Sequence, residues 1–142
     1  TTLEAEITVP SLSSVELNGA SQATLVDFVV DGEISLGATG ASRFVGDLEA
    51  GGLRLSLSGA SSASLQGSAQ DWTVDASGAS TAELADFPVT DAAVIVSGAS
   101  TATVNASGTL DAEASGASHV RYLGSPTLGN VEVSGASSVD RE

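Results

Sequence analysis

The chain of 142 residues contains no cysteine and no lysine. Without thiols it has no disulfide framework, no thiolate zinc site and no cysteine nucleophile, and thiol redox chemistry is excluded. Without lysine, its only fixed cations are Arg43, Arg54, Arg121 and Arg141, set against eighteen acids for a formal charge of −14. A field of that sign repels the phosphate backbone and anionic lipid alike, so nucleic-acid partners and membrane surfaces drop out. No stretch approaches the roughly 18 consecutive apolar residues that cross a bilayer. The chain opens at Thr1 with no basic and apolar leader, which fits an exported product whose signal has been removed. Aromatic residues are few and scattered: Phe28, Phe44, Trp72, Phe87 and Tyr122. They form no row on which sugars could stack, and Phe28 and Phe87 read as plugs of a core. No window of ten residues combines helical period with caps, so no α-helix is expected.

What the chain does have is a repeat. Charged residues make up 15% and apolar ones 42%, enough hydrophobicity to offset chain entropy and fold. The triplet Gly-Ala-Ser begins at Gly19, Gly40, Gly59, Gly78, Gly98, Gly116 and Gly135, with spacings of 21, 19, 19, 20, 18 and 19 residues. Apolar side chains stand four and two residues before each glycine: Val15 and Leu17, Leu36 and Ala38, Leu55 and Leu57, Val74 and Ala76, Val94 and Val96, Ala112 and Ala114, Val131 and Val133. Between them lie Glu16, Gly37, Ser56, Asp75, Ile95, Glu113 and Glu132. This alternation is that of a strand with one buried face. A second alternation follows the triplet, as in Ala63 and Leu65 or Ala82 and Leu84, and marks a second short strand.

The triplet itself reads as a corner, because glycine reaches backbone angles closed to other residues and alanine fills a narrow interior position. Its serines, Ser21, Ser42, Ser61, Ser80, Ser100, Ser118 and Ser137, recur at one position and would stack as a ladder of hydroxyls about 4.8 Å apart. Capping of the corner backbone is their expected role, with a ligand-binding row as the alternative. Length variation falls in a third stretch, as in residues 29–33, 48–52, 70–73, 88–91 and 126–130, which should be the least regular side. A propeller blade needs about 40 residues, whereas 19 suit one turn of a three-sided coil. The expected fold is therefore all-β: one domain over residues 1–142, a parallel β-helix or β-solenoid of about seven coils. Residues 1–13 would serve as an N-terminal strand or cap and 14–139 as the repeats. The right-handed form is expected from the handedness of parallel crossovers, and the rod would measure roughly 30–35 Å.

Chemistry is sparse. His119, the sole histidine, follows Ser118, yet no Gly-x-Ser-x-Gly elbow accompanies it and a surface histidine accounts for it. Glu113 and Glu132 should lie on adjacent coils about 5 Å apart, which makes them the best available pair for a glycosidase. An outward acidic face that keeps the chain soluble is the reading preferred to it. Asp27, Asp31, Glu33, Asp47 and Glu49 are the candidates for calcium, although none fits an EF-hand loop or the Gly-Gly-x-Gly-x-Asp repeat. A solvated acidic face is the simpler account of them. No catalytic residue and no cofactor are assigned.

The pattern apolar-x-apolar-Ser-Gly-Ala-Ser-x-apolar, seen in Val131-Glu132-Val133-Ser134-Gly135-Ala136-Ser137-Ser138-Val139, resembles the head GIN domain family of auto-transporter adhesins. Tyr122-Leu123-Gly124-Ser125-Pro126 is similar to a pattern near that family's C-terminus, and the resemblance runs from about Ser14 to Val139. It implies a bacterial β-helix-like protein, extracellular, on the cell surface or periplasmic, that binds a protein or glycan surface without catalysis. The absence of lysine and the strong acidity depart from the family's usual pattern. A second expectation comes from the ends, since an open solenoid exposes unpaired strand edges. Residues 3–10 alternate like a strand that covers the first coil, but Asp140, Arg141 and Glu142 follow the last corner with no cap. Homo-oligomerisation through the ends, as a structural subunit, follows as the alternative function.

Overall fold

A computed structural model describes residues 3–7 and 14–141, without the side chains of 3–7, Asp27, Phe28 and Val30. Eleven strands run in chain order: β1 (Leu3–Ile7), β2 (Ser14–Leu17), β3 (Ser21–Ala38), β4 (Arg43–Leu57), β5 (Ser62–Ala76), β6 (Thr81–Val96), β7 (Thr101–Ala106), β8 (Thr109–Ala114), β9 (His119–Gly124), β10 (Thr127–Val133) and β11 (Ser138–Arg141). Every pairing is parallel and joins one coil to the next, as in β3 with β4, β4 with β5 and β5 with β6. No helix occurs among the described residues. The chain is a β-solenoid of about seven turns. β1 forms the expected N-terminal strand, paired with the start of β3, while residues 8–10 fall outside the described residues.

The register places like on like. Val15, Leu36, Leu55, Val74, Val94, Ala112 and Val131 form one interior column, and Leu17, Ala38, Leu57, Ala76, Val96, Ala114 and Val133 a second. Within the rod these side chains are almost wholly buried. Large residues are accommodated by small neighbours. Phe44 stacks between Ala23 and Ala63, and the next inward position of its own coil is Gly46. Trp72 lies between Leu53 and Ala92, and its ring meets that of Phe87 at 6.1 Å. Such alternation of volume lets a narrow interior reach native density without cavities. Phe87 is a core plug, as expected; the side chain of Phe28 lies outside the described residues.

The third stretch differs from its expectation. Residues 29–33, 48–52, 70–73, 88–91 and 127–130 are strand and not loop, continuous with β3, β4, β5, β6 and β10. Consequently the strand that follows one corner and the strand that precedes the next fuse, in the middle coils, with this third side into runs of 15 to 18 residues. The physical reason is that backbone groups here are satisfied by the coils above and below, so even Gly51, Gly52 and Pro88 can be carried in strand. The length differences survive as register breaks, at Leu25/Phe28 and Val30/Glu33 in β3, Ser64/Ala69 in β5 and Glu83/Pro88 in β6. At the last of these the Asn105 side-chain amide donates to the Ala85 carbonyl at 3.1 Å. A third interior column, Ile34, Leu53, Trp72, Ala92, Leu110 and Leu128, runs along this side.

At the corners each glycine has φ between +69° and +77°. The alanine N–H donates to the glycine carbonyl one coil earlier, as in Ala79 to Gly59 and Ala99 to Gly78, both at 2.8 Å. A Cβ on Gly78 would sit 2.5 Å from the Gly59 oxygen, whereas one on Gly19 would meet nothing within 4 Å. Gly78→Ala should therefore cost roughly 2–4 kcal/mol from backbone strain and collision together, but Gly19→Ala only about 1–2 kcal/mol from strain alone. Urea denaturation of the two variants checks this, and equal losses would place the whole cost in φ. The Trp72 indole N–H is buried and finds no hydrogen-bond partner. Removing that orphan with Trp72→Phe should leave stability within about 1 kcal/mol of the parent, against a loss of about 3–5 kcal/mol for Trp72→Ala, read from the same denaturation curves.

Candidate functional site

The corner serines turn inward. Ser42, Ser61, Ser80, Ser100 and Ser118 are buried at 1% exposure or less, and Ser21 at 8%. In each of the six the hydroxyl donates to the carbonyl three residues earlier, from Ser21 to Asn18 at 2.7 Å through Ser118 to Ser115 at 2.7 Å. The hydroxyl thus spans the corner that the glycine makes and satisfies the carbonyl of the residue before it. Further bonds link coils: the Ser80 N–H donates to Ser100 Oγ at 3.3 Å, and that of Ser118 to Ser137 Oγ at 3.2 Å. Ser137 belongs to the last coil and is only partly buried. What the corners present to solvent is instead their glycine and alanine, so the interior position expected for the alanine is taken by the serine, whose hydroxyl the turn sends back to the carbonyl three residues earlier.

Two faces flank this ridge. Before the corner, Glu16, Gly37, Ser56, Asp75, Ile95, Glu113 and Glu132 stack in register as an outward column, and Glu113 pairs directly with Glu132. Both carboxylates are exposed on the outer face of the wall. After the corner the outward positions are rich in hydroxyls, with Thr24, Ser62, Ser64, Thr81, Thr101 and Thr103, and carry Arg43, His119 and Arg121 together with the acids Glu83 and Asp140. His119 is exposed, and its Nδ1 lies 3.0 Å from Ser138 Oγ on the neighbouring strand. Ser118 points the other way, into the corner, so the adjacent Ser118–His119 pair makes no dyad.

On the third side, open hollows of about 290 and 340 Å³ run along the middle coils. Asp31 and Glu49 line one, while Glu33, Arg54 and Asp71 line the other. Asp47 is exposed and lines neither, and the side chain of Asp27 lies outside the described residues. Among the described residues no three of His, Cys, Asp and Glu converge as a metal-holding group. Two aspartates unremarked in the sequence have defined partners: Asp91 Oδ1 accepts the Thr109 N–H at 2.9 Å, and Asp111 Oδ1 the Asn130 N–H at 2.7 Å. Each carboxylate ties down the backbone on the third side of the next coil. Nothing in composition separates these two from the other surface acids; their spacing from a following Thr or Asn, 18 and 19 residues on, is the one available signal.

The sequence profile described as "Putative auto-transporter adhesin, head GIN domain" matches residues 1–126. It stops short of the last coil, which the likeness read from the sequence alone had included. No curated protein matches the sequence significantly. A crystal structure of a "putative adhesin" from Bacteroides fragilis superposes with a TM-score of 0.87 at 20% identity, covering 94% of this chain and 62% of that one. Another, from Parabacteroides distasonis, gives 0.82 at 21% identity and covers 99% of this chain and 57% of that one. The chain thus spans about three-fifths of the length of these neighbours, and at such identities the likeness is one of fold.

The buried hydroxyls generate a direct test. Ser100→Ala removes the 2.9 Å bond to the Ser97 carbonyl inside a closed corner and should cost about 1–2 kcal/mol. Ser138→Ala removes only the surface contact with His119 and should change stability by less than about 0.5 kcal/mol. Denaturant midpoints of the two variants measure the difference.

Proposed function

The chain belongs to the head GIN domain family, described as auto-transporter adhesins, and from that premise we propose that it is a non-enzymatic adhesion module that acts outside the cell or at its surface. The observation that carries this reading is the lateral wall: long strands side by side, with outward side chains fixed at the coil spacing and open hollows on the third side. Such a wall suits an extended partner, a glycan chain or a protein surface, better than a small substrate that must be enclosed and dried. Rigid strands hold each side chain at little entropic cost, which favours binding by many modest contacts. The acidic column before the corner favours partners that are neutral or basic, and the hydroxyl-rich face after it offers hydrogen bonds to a polar polymer.

The adhesive reading is tested by presenting the immobilised chain with glycans and extracellular-matrix proteins. Saturable binding to at least one class, without turnover, is expected, and Asp75→Lys with Glu113→Lys should weaken it about tenfold or more if the acidic column is the contact. Glycan hydrolysis abolished by Glu113→Gln or Glu132→Gln would overturn the non-enzymatic reading. Absence of binding across the whole panel would overturn the adhesive one.

A further inference from the structure

One corner differs from the other six in the residue that precedes its glycine. That residue is Thr39, Ser58, Ser77, Ser97, Ser115 or Ser134 in the later coils, but Asn18 in the first, so the chain there reads Asn18-Gly19. An asparagine ahead of a glycine is chemically poised. The peptide nitrogen that follows it lies one five-membered ring away from the side-chain carbonyl carbon, and glycine has no Cβ to shield that nitrogen. The corner keeps both groups accessible. Asn18 and Gly19 are exposed, and so are Thr39 and Gly40, which have a coil on either side, so the exposure belongs to the corner position and not to the end of the rod. Among the described residues no acceptor takes the N–H of a Gly-Ala-Ser glycine, although in the later coils the residue before it and the alanine after it both donate to the coil before.

Two hydrogen bonds act on the reacting groups. The Thr39 hydroxyl donates to Asn18 Oδ1 at 2.7 Å, which polarises the side-chain carbonyl and is placed to stabilise negative charge on that oxygen as a nucleophile adds. The Ser21 hydroxyl donates to the Asn18 backbone carbonyl at 2.7 Å. It draws electron density from the peptide unit whose nitrogen belongs to Gly19, and so eases loss of the proton on that nitrogen. The other two asparagines lack this arrangement. Asn105 and Asn130 precede Ala106 and Val131, and in both the side-chain Nδ2, the group that would have to leave, is already a donor, to the Ala85 carbonyl at 3.1 Å and to Glu132 Oε1 at 3.5 Å.

We propose that Asn18-Gly19 is a self-modification site, activated by its own corner, at which the chain converts an amide into a carboxylate through a cyclic imide. Hydroxide removes the Gly19 N–H proton, and the nitrogen bonds to Asn18 Cγ. The carbonyl electron pair moves onto Oδ1 beneath the Thr39 hydroxyl and returns as the Cγ–Nδ2 bond breaks, while Nδ2 takes a proton from water and leaves as ammonia. Water then opens the imide at either carbonyl, giving aspartate or isoaspartate, the latter with its main chain routed through Cβ and Cγ. Nothing is oxidised or reduced: one water is consumed and one ammonia released. Either product adds a negative charge close to Glu16 in the chain. Isoaspartate also lengthens the main chain by a methylene just ahead of Gly19, whose carbonyl holds the Ala41 N–H at 2.8 Å, so the joint between the first two corners loosens. The site is independent of the adhesive reading.

Timed incubation of the purified, folded chain in mildly alkaline buffer tests this, with peptide mapping by mass spectrometry and an isoaspartate-specific methyltransferase as the probe. Asn18 should convert at least about 10-fold faster than Asn105 or Asn130, yield methyl-accepting isoaspartate, and bring faster hydrogen exchange at the Ala41 amide. Thr39→Val should slow Asn18 about 2- to 10-fold in the folded chain, the rate equivalent of one hydrogen bond, and leave its rate in urea unchanged. Thr39 is exposed, so the variant should fold, as circular dichroism and melting will show. Asn18→Ser, which installs the residue found in most later corners, should abolish conversion at this site. An Asn18 that remains an amide in the folded parent while it converts in urea would overturn the proposal, because the corner would then shield the site. Equal rates for folded parent and folded Thr39→Val would overturn the activation and reduce the site to its dipeptide.

Discussion

Everything in this molecule depends on the distance between one coil and the next. Parallel strands pair at about 4.8 Å, and here that spacing is enforced even at the sharpest bend, where the alanine N–H reaches the glycine carbonyl of the coil before it. The glycine is required twice over. Its φ near +75° turns the chain, and the absence of Cβ admits a carbonyl oxygen that any other residue would strike. Because the corner itself remains hydrogen-bonded to its neighbours, the backbone ladder is not interrupted where the chain changes direction. The interior can then be narrow, and a narrow interior is filled by alanine, valine and leucine, with Phe44 and Trp72 admitted only beside small residues.

Much of this could be read from the amino-acid sequence, for identifiable reasons. The corner glycines, the alternation before them and the outward column of Glu16, Asp75, Glu113 and Glu132 recur with a period that no other architecture explains, and the stacking of Glu113 on Glu132 follows from that period. The third side was less legible because Ala50-Gly51-Gly52 and Phe87-Pro88 look like breakers when read locally. Their strand conformation comes from the coils that sandwich them, information that is not local. The direction of the serines was equally hidden. In a triplet of three small residues nothing marks which one faces the interior, and the answer depends on the turn geometry that sends Ser Oγ back to the carbonyl three residues earlier. Asp91 and Asp111 were missed because a carboxylate that pins the next coil has the same composition as one that merely faces water.

The distribution of charge follows from the same architecture. With the interior reserved for apolar groups and the corners for small ones, acids can stand only on the outward positions of the walls, where the repeat stacks them. Arg43 and Arg121 with His119 lie on the face after the corner, while the face before it carries the carboxylate column. The two walls thus differ in character although they are built from the same strands: a partner would meet either hydroxyls with scattered charges of both signs or the carboxylate column. An adhesion module whose binding groups are set by a structural period is suited to ligands that are themselves periodic or extended.

The direction of the backbone bonds has a mechanical consequence. They point along the rod, from coil to coil, so a pull applied between its two ends loads them along their length and one rung at a time. Strands held in this way peel instead of shearing. A tether made of this fold would give up its outermost coil first and release about 60 Å of chain for roughly 19 residues, while the coils behind it stayed closed. For a protein of an adhesin family, such stepwise yielding would let a bond to a surface outlast a tug that would snap a stiffer link.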